Sequence, residues 1–228
     1  MKAIGSNPIP PTKLGNEAFV MNAQNLYSNI AGSYDIISRL NGKKRAANYI
    51  VDHLPFRASD SFMVLDAGCG TGLYSMAILK KFPKSQIVAF DLNNKMVEKM
   101  RENLHRYGFE KRAAVFVGDV LGNIFDKEQY FDLVVTGGVL EYVDIRRAVQ
   151  NLTRYLSIGG YFLNSLILDN WLGNLTGKSA GFRPHTVEEN ISAFTQNGFE
   201  LQKTIAIPLR YFPICLLKTT HLFKKQKL

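Results

Sequence analysis

Cysteine is scarce in this 228-residue chain, which holds only Cys69 and Cys215. Cys69 lies inside a glycine-rich stretch, so a disulfide framework is not expected, and this cysteine usage is typical of a reducing cytoplasm. The sequence also lacks a pair of close cysteines and a histidine cluster at ligand spacing. These absences argue against a structural zinc, and we expect no metal site.

Long hydrophobic runs are absent as well. No run approaches the roughly 20 apolar residues that a membrane-spanning helix needs. The N-terminus has no charged region followed by an apolar core, so no signal peptide is expected and a cytoplasmic location is predicted. With 46 % hydrophobic and 21 % charged residues, the composition is that of a globular protein. The length favours a single domain with a sizeable core.

Acidic residues are missing from the C-terminal end of the chain. None follows Glu200, whereas the whole chain carries a net charge of +9. The basic residues beyond that point are Lys203, Arg210, Lys218, Lys224, Lys225 and Lys227. A basic end indicates an anionic partner, namely nucleic acid, a membrane surface or an acidic substrate. The alternative is a solvated tail that keeps the protein soluble.

A glycine-rich stretch at residues 64–72 is the centre of the sequence. It begins in an apolar run, continues through Asp66, and then places Gly68, Gly70 and Gly72 at alternate positions. An apolar pattern with helical spacing follows. The order predicted is therefore strand, glycine loop and helix. Glycine lets the backbone approach a ligand closely, and the ligand would lie at the carboxyl end of the strand.

The glycine spacing separates three kinds of ligand. A P-loop would end in Gly-Lys-Ser/Thr, but Gly72 is followed by Leu73 and Tyr74. A dinucleotide fingerprint would read G-x-G-x-x-G, whereas the spacing here is G-x-G-x-G with Asp66 two residues ahead. An acidic residue at that place favours a ligand with an amino group over an anion. The nonapeptide resembles motif I of the class I S-adenosylmethionine-dependent methyltransferases, which implies S-adenosylmethionine as the cofactor.

Periodicity and turn signals predict the remaining elements. Helices are predicted at 43–54, 73–82, 93–107 and 145–156, with a further helix that begins after Thr186 in a capping box with Glu189 and ends near Gly198. Strands are predicted at 62–66, 86–91, 113–117, 131–136, 161–168 and 200–207, and a polar loop at 169–181. Residues 210–223 are ambiguous, because the family has an antiparallel seventh strand there while the letters fit an apolar helix about as well.

The alternation of strands and helices predicts an α/β fold. We expect a doubly wound, mainly parallel sheet of six to seven strands with helices on both faces. The resemblance implies the Rossmann-like fold of class I methyltransferases. A flexible arm is expected at 1–20, followed by one domain at 21–228. Within it we expect lid helices at 21–55, the core sheet at 60–207 and a basic, apolar segment at 208–228.

Four further motifs in the expected order support the resemblance. In the family, an acidic residue after the second strand holds the ribose and one after the third strand accepts from the adenine amino group. The next apolar residue covers the ring, and the end of the fourth strand passes beneath the sulfonium. A turn with two glycines, at 157–161, precedes the fifth strand. The cofactor-binding residues that the resemblance implies are Tyr34, Asp66, Gly68, Cys69, Gly70, Asp91, Leu92, Asp119, Val120 and Gly137.

A segment before the glycine stretch resembles the branch that includes quinone C-methyltransferases. It reads Tyr-x-x-Ile-Ala-x-x-Tyr-Asp from Tyr27 to Asp35. In that branch the segment folds over the cofactor. Carried over, Tyr34 would contact the cofactor and Tyr27 would belong to a mobile lid at 21–35, although an aromatic contact between helices is an equal alternative for Tyr27.

The acceptor is predicted by what the chain lacks. Methylators of exocyclic amino groups often carry Asn/Asp-Pro-Pro-Tyr/Phe after strand four, where this chain has Thr-Gly-Gly-Val. We expect methyl transfer to an O, N or C atom of a small molecule, including a lipid-like or quinone-like phenol.

His185 is the first candidate for a general base, with a solvent-facing histidine as the alternative, and Glu141 and Tyr142 come next. Other hypotheses are a nucleic-acid methyltransferase, a cofactor-binding regulatory module, and contact with the inner, anionic membrane surface.

Overall fold

The computed structural model describes residues 42–126, 128 and 130–227. In this part of the chain one seven-stranded sheet lies between two layers of helices. The strands are β1 (Met63–Ala67), β2 (Gln86–Asp91), β3 (Ala113–Val117), β4 (Phe131–Gly137), β5 (Leu156–Ile167), β6 (Phe199–Ala206) and β7 (Lys218–Lys225). The helices are α1 (Lys43–Val51), α2 (Leu73–Lys81), α3 (Asn94–Tyr107), α4 (Ile145–Thr153), α5 (Trp171–Ala180) and α6 (Val187–Thr195). The arm at 1–20 and the lid at 21–35, with Tyr27 and Tyr34, lie outside the described residues.

The strand order across the sheet is β3-β2-β1-β4-β5-β7-β6. Strands β1 to β5 pair in parallel, and β7 is antiparallel to both of its neighbours, β5 and β6. The chain order therefore runs outward from β1 in one direction and then from β4 in the other. This confirms the predicted doubly wound α/β fold, and the change of direction lies between β1 and β4, where open α/β sheets bind ligands.

Adjacent residues of the central strand β1 pack into two different hydrophobic cores, one on each face of the sheet. Val64 packs with Ile50 of α1 and Ile78 of α2 on one face of the sheet. Leu65 packs with Val149 of α4 and Phe194 of α6 on the other face. A parallel strand that is buried on both sides reads as a continuous apolar run, which is why β1 was visible in the sequence.

The prediction of a polar loop at 169–181 is wrong, because Trp171–Ala180 form the helix α5. The Asn170 side chain accepts from the Gly173 N–H at 2.8 Å and caps the first turn. Gly181, at φ +76°, ends the helix in the left-handed conformation. Both signals were present in the sequence, since asparagine favours the N-cap and glycine the position after a helix.

The region before β5 also differs from the prediction. Helix α4 ends at Thr153 rather than at 156, and β5 begins at Leu156 rather than at 161. The register of β5 against β4 shifts between Phe131 and Leu133, and Gly159 lies there at φ +78°. The two glycines thus form an irregularity inside a longer strand, not a turn before it.

The ambiguous C-terminal segment contains β7, a strand in the interior of the sheet. Leu222 joins one core and Phe223 the other. The edge strand is β6, so the core sheet extends to 225 instead of the expected 207. Lys225 does not belong to a solvated tail, since its buried Nζ donates to the carbonyls of Thr153, the last residue of α4, and Leu156, the first residue of β5. Within the described ranges no helix has the length and apolarity that crossing a bilayer requires.

Candidate functional site

The glycine loop after β1 is a left-handed turn that leaves open space on one side. Gly68, Gly70 and Gly72 have φ values of +71°, +54° and +88°. A Cβ on Gly68 would stand 2.4 Å from a methyl carbon of Val139, so packing alone requires glycine there. A Cβ on Gly70 would meet nothing within 4 Å. The space beside Gly70 is therefore available to a ligand that approaches the backbone.

Asp91, at the end of β2, connects the second strand to this loop. One carboxylate oxygen accepts the Gly70 N–H at 2.8 Å, and the other accepts the Asn93 N–H at 2.9 Å. Burial raises the pKa of Asp91, while these two backbone N–H donors oppose the rise. A carboxylate oxygen has more than one acceptor site, so Asp91 can hold the loop and still accept from ligand hydroxyls.

Asp66, at the end of β1, is the most deeply buried acid of the site. It is 2 % exposed and accepts a hydrogen bond from the Ser75 hydroxyl at 2.5 Å. Burial raises the pKa of Asp66 to about 6, and nearby Asp91 adds to the rise, whereas the bond from Ser75 lowers it. A cationic ligand group would favour the ionised form of such a carboxylate.

Asp119 follows β3 and completes a row of acids at three neighbouring strand ends. Its Oδ1 accepts the Leu121 N–H at 2.9 Å. Val120, next in the chain, is buried at 6 % exposure and packs in the core beneath. The row runs across the sheet in the order β3, β2, β1 because the carboxyl ends of parallel strands meet at one edge.

A cavity of about 190 Å³ opens at this edge of the sheet. Its lining contains most of the residues that the sequence predicted: Asp66, Gly68, Cys69, Gly70, Asp91, Leu92, Asp119, Val120, Gly137 and Tyr142. Gly137, at the end of β4, is required by packing, because a Cβ there would stand 2.5 Å from the ring of Tyr74. The predicted cofactor contact Tyr34 lies outside the described residues.

Two of the three predicted acid–base candidates are not among the residues that line the cavity. The ring of His185 is bonded through Nε2 to the Leu140 carbonyl at 3.1 Å, and its Nδ1 lies 3.8 Å from Glu189. Glu141 is buried and accepts the Ile167 N–H at 2.7 Å, which ties the end of β4 to β5. The structure brings Tyr142 to the cavity, with its ring 4.9 Å from that of Phe182.

The Cys69 thiol lies inside the glycine loop and is buried at 7 % exposure. Burial raises the pKa of this thiol well above its ordinary value, and the charges of Asp66 and Asp91 act in the same direction. A thiol that resists ionisation is a poor nucleophile, so the geometry favours a packing role for Cys69 in the loop. Cys69 and Cys215 are both free thiols. In the described part of the chain no group of three His, Cys, Asp or Glu residues could hold a metal ion.

The other half of the cavity was missed by sequence reasoning. Apolar side chains from α1, the β4 end and the β6–β7 loop line it: Ala46, Ala47, Ile50, Val139, Val143, Ile207 and Ile214. Two lysines, Lys43 and Lys218, also line the cavity. Burial lowers the pKa of Lys43. These residues come from segments far apart in the chain, and no local spacing predicts that they meet.

Comparisons with known proteins agree with this geometry. Residues 64–160 match the family model of the methyltransferase domain. The chain is 29 % identical over 147 residues to malonyl-[acyl-carrier protein] O-methyltransferase of Bacillus anthracis, a match that covers 62 % of this chain and 51 % of the relative. It is 33 % identical over 100 residues to malonyl-[acyl-carrier protein] O-methyltransferase 1 of Ilyobacter polytropus, which covers 43 % of this chain and 35 % of the relative. In these two matches the chain thus spans about half and about a third of the length of its curated relative.

Solved structures share the fold. Geranyl diphosphate C-methyltransferase from Streptomyces coelicolor A3(2) superposes with a TM-score of 0.69 at 13 % identity, covering 80 % of this chain and 79 % of that one. The Rossmann-like methyltransferase fold predicted from the sequence is confirmed. The resemblance to class I S-adenosylmethionine-dependent methyltransferases is confirmed too, and with it S-adenosylmethionine as the cofactor that this class uses.

Proposed function

We propose that this class I S-adenosylmethionine-dependent methyltransferase transfers the methyl group to a small, largely apolar acceptor molecule. The observation that carries the proposal is the mixed polar and apolar lining of the cavity at the carboxyl edge of the sheet. Its lining combines the glycine loop and three carboxylates with aliphatic side chains from α1, the residues after β4 and the β6–β7 loop. Pockets for small molecules have this composition, with a few placed polar groups among apolar walls.

The acid-lined part would hold the cofactor. We assign Asp66 to its amino group, Asp91 to the ribose hydroxyls and Asp119 to the adenine amino group. Val120 and Leu92 would flank the adenine ring, and the other assigned contacts are Tyr34, Gly68, Cys69, Gly70 and Gly137. The open space beside Gly70 supports this placement, because a ligand there meets a backbone without a Cβ.

The apolar part would hold the acceptor. Ile207 and Ile214 bring the β6–β7 loop to the cavity, and Val139 brings the β4 end. Tyr142, in the turn after β4, is the one predicted acid–base candidate in the lining. Its phenol could orient a polar group of the acceptor. Burying an apolar acceptor there would be favourable by about 25 cal/mol for each Å² removed from water.

The reaction needs little from the protein beyond alignment. The bound cofactor supplies a methyl group that is already activated by its sulfonium. The acceptor atom attacks the methyl carbon, a bond to carbon forms, the carbon–sulfur bond breaks and its electron pair stays on sulfur. The described residues of the cavity hold the two reactants in line and limit the access of water, which converts a bimolecular step into an effectively unimolecular one.

Calorimetry with S-adenosylhomocysteine tests the cofactor half of the proposal. We expect the wild type to bind it, and Gly70→Val to bind at least tenfold more weakly because the new side chain fills the open space. Asp60→Ala, in an exposed loop after α1, is the matched control and should bind like wild type. Absence of binding to wild type, or undiminished binding by Gly70→Val, would contradict the assignment.

Transfer of a tritium-labelled methyl group to a metabolite extract, run beside RNA, tests the acceptor class. We expect label in small molecules. Label in RNA alone would replace the proposal with the nucleic-acid alternative, for which the net charge of +9 is the motive. Label nowhere, together with normal cofactor binding, would favour a cofactor-binding regulatory module without catalysis.

The cytoplasmic location remains part of the proposal, and peripheral contact with an anionic membrane is its second component. The β6–β7 loop presents Ile207 and Ile214 to the cavity, whereas Leu209 and Phe212 are 78 % and 68 % exposed. An apolar surface directly outside an apolar cavity would suit an acceptor that enters from a lipid phase.

A further inference from the structure

Lys218, the first residue of β7, lies at the cavity beside the end of β4. Its Nζ is 3.2 Å from the point where a Cβ on Gly138 would stand, and Gly138 has a φ of +78°. Glycine at this position leaves room for the ammonium group, which thereby reaches the residue that directly follows β4. Lys218 also pairs in register with Ile167, because β7 is the strand next to β5. The position of Lys218 at the start of β7 and the lack of a side chain on Gly138 together bring a cation to the cavity.

The charges of the cavity are divided along the sheet. Asp119, Asp91 and Asp66 belong to β3, β2 and β1, which form one side of the strand order. Lys218 belongs to β7 on the other side, where Ile207 and Ile214 of the β6–β7 loop also line the cavity. Lys43, the first residue of α1, adds a second positive charge to the lining. A cationic ligand group is therefore favoured at the acidic side, and an anionic ligand group at the side of Lys218.

We propose that Lys218 binds the oxyanion of an otherwise apolar acceptor, either a carboxylate or an acidic phenolate. This inference rests on the proposed methyl transfer and names the chemistry of its acceptor. The Lys218 ammonium alone would repel the positively charged sulfonium of the cofactor. An acceptor oxyanion held between the ammonium and the sulfonium would be attracted by both groups. The aliphatic residues Ile207 and Ile214 would take the apolar body of the same molecule.

The chemistry of an oxyanion fits the other residues of the site. A lone pair of the acceptor oxygen attacks the methyl carbon, the oxygen–carbon bond forms, and the sulfur–carbon bond breaks with its pair left on sulfur. The acceptor arrives ionised, so no proton moves in the step. This agrees with the positions of His185 and Glu141, which do not line the cavity. Lys218 is a positioning residue for the acceptor, so its loss should raise KM more than it lowers kcat.

Competition between matched probes tests the assignment in the full chain saturated with S-adenosylhomocysteine. The probes are octanoate, neutral octanamide, and a 4-alkyl-2-nitrophenol that is ionised at pH 8. By calorimetry we expect at least one of the two anions to bind tenfold or more tightly than octanamide, in the range of a charge-assisted hydrogen bond. Lys218→Met should remove that preference, and Lys218→Arg should retain part of it. Preference for octanoate alone identifies a carboxylate acceptor, and preference for the nitrophenol alone identifies a phenolate.

Lys224→Met is the matched control, since Lys224 lies on the same strand but its Nζ stands over the ring of Tyr161 at 5.6 Å, outside the cavity lining. It should keep the preference of wild type. Equal binding of anions and octanamide to wild type, or an unchanged preference in Lys218→Met, would overturn the inference. Affinity for S-adenosylhomocysteine should stay unchanged in Lys218→Met, which also reports that the variant is folded. If the wild type does not bind S-adenosylhomocysteine at all, the proposed function itself is overturned.

Discussion

The Gly70 N–H donates to the Asp91 carboxylate across a distance of 2.8 Å, which ties the glycine loop after β1 to the end of β2. The neighbouring Gly68 and Cys69 N–H groups both donate to the Phe90 carbonyl, at 2.8 and 3.0 Å. The loop is thus held from one strand by three bonds. It is preorganised for a ligand, because the open conformation at Gly70 does not depend on the ligand being present.

Replacement of Asp91 separates this structural role from ligand contact. In Asp91→Ala the N–H groups of Gly70 and Asn93 both lose their acceptor, which costs about 1–3 kcal/mol for each buried donor left unpaired. Asp91→Asn keeps one acceptor oxygen and should be destabilised less. We expect both variants to bind S-adenosylhomocysteine at least tenfold more weakly by calorimetry, with the larger drop in thermal midpoint for Asp91→Ala. Wild-type affinity in Asp91→Asn would show that the carboxylate does not contact the cofactor.

Alanine in place of Gly68 or Gly70 should destabilise the folded protein for different reasons. In Gly68→Ala a Cβ meets Val139 at 2.4 Å, so overpacking of about 1–3 kcal/mol adds to backbone strain of about 1–2 kcal/mol. In Gly70→Ala the Cβ meets nothing within 4 Å, and only the strain remains. Urea unfolding should therefore show the larger loss for Gly68→Ala. Equal losses in the two variants would contradict the packing argument, and Gly70→Ala should weaken cofactor binding beyond its small effect on stability.

The raised pKa of Asp66 predicts a pH dependence of stability. Its folded pKa is about 6 and its ordinary value is 3.8. Between these values the unfolded chain has released the proton while the folded chain retains it, so the free energy of unfolding falls as pH rises through this window, by at most about 3 kcal/mol. The stabilising contribution is fully present below the ordinary value. Asp66→Asn should flatten this part of the profile in chemical denaturation; an equally steep slope would show that other groups cause it.

Cofactor affinity should have the opposite slope. The ionised Asp66 is the form that attracts an amino group, so S-adenosylhomocysteine should bind about tenfold more weakly at pH 5 than at pH 7. Asp66→Asn should lose this slope. Because burial also raises the pKa of Asp91, the Asp91→Asn variant serves as the comparison and should keep the slope that belongs to Asp66. Calorimetry in buffers of matched ionisation enthalpy measures both.

Much of the fold could be predicted because the signals are local. Strands β2 and β3 were predicted with their observed bounds, and the helix predicted at 93–107 is α3, which starts one residue later, after the N-cap Asn93, and ends before Gly108. The capping box of Thr186 and Glu189 is present before α6. In each case the chain carries both an apolar pattern and a turn or cap residue within a few positions.

The acceptor half of the site could not be predicted, because its residues meet only through the order of strands. Lys218 reaches Gly138 because β7 inserts between β5 and β6, which the sequence of a C-terminal segment with two prolines does not reveal. The same insertion buries His221 beside Asn190, and burial lowers the pKa of that histidine. From the sequence alone, an isolated polar residue in such a segment is expected to be exposed to solvent, because the strands that bury it are not yet known.

His185 was the first candidate for a general base, with a solvent-facing histidine as the alternative, and its contacts now make a catalytic role unexpected. Its Nε2 is bonded to the Leu140 carbonyl, and the ring does not line the cavity. A general base contributes about 10²–10⁴ to a rate, so we expect His185→Gln to lower kcat by less than about tenfold. Tyr142→Ala should lower kcat/KM more. A loss of 100-fold or more in kcat for His185→Gln would restore the general-base role.

The β6–β7 loop and the start of α5 form one exposed apolar surface, consisting of Trp171, Leu209, Phe212 and Leu216. Trp171 is 76 % exposed, and the preceding residue, Asn170, donates to the Leu216 carbonyl at 2.9 Å, which places the two segments side by side. Arg210 adds positive charge, with its guanidinium 5.0 Å from the ring of Tyr211. An aromatic and aliphatic surface with basic residues is typical of proteins that rest on a bilayer interface.

Flotation with anionic vesicles tests whether this surface contacts a membrane. We expect the wild type to float with phosphatidylserine vesicles at low salt and less at high salt, because each basic residue near the surface adds about 1 kcal/mol that ions screen. The double variant Trp171→Ser/Phe212→Ser should stay in solution. Ile158→Ser is the matched control, since Ile158 is 53 % exposed near the start of β5, at the opposite edge of the sheet from the cavity. If the wild type stays in solution at both salt concentrations, the exposed apolar surface does not bind lipid, and access of the acceptor from water becomes the only route consistent with the cavity.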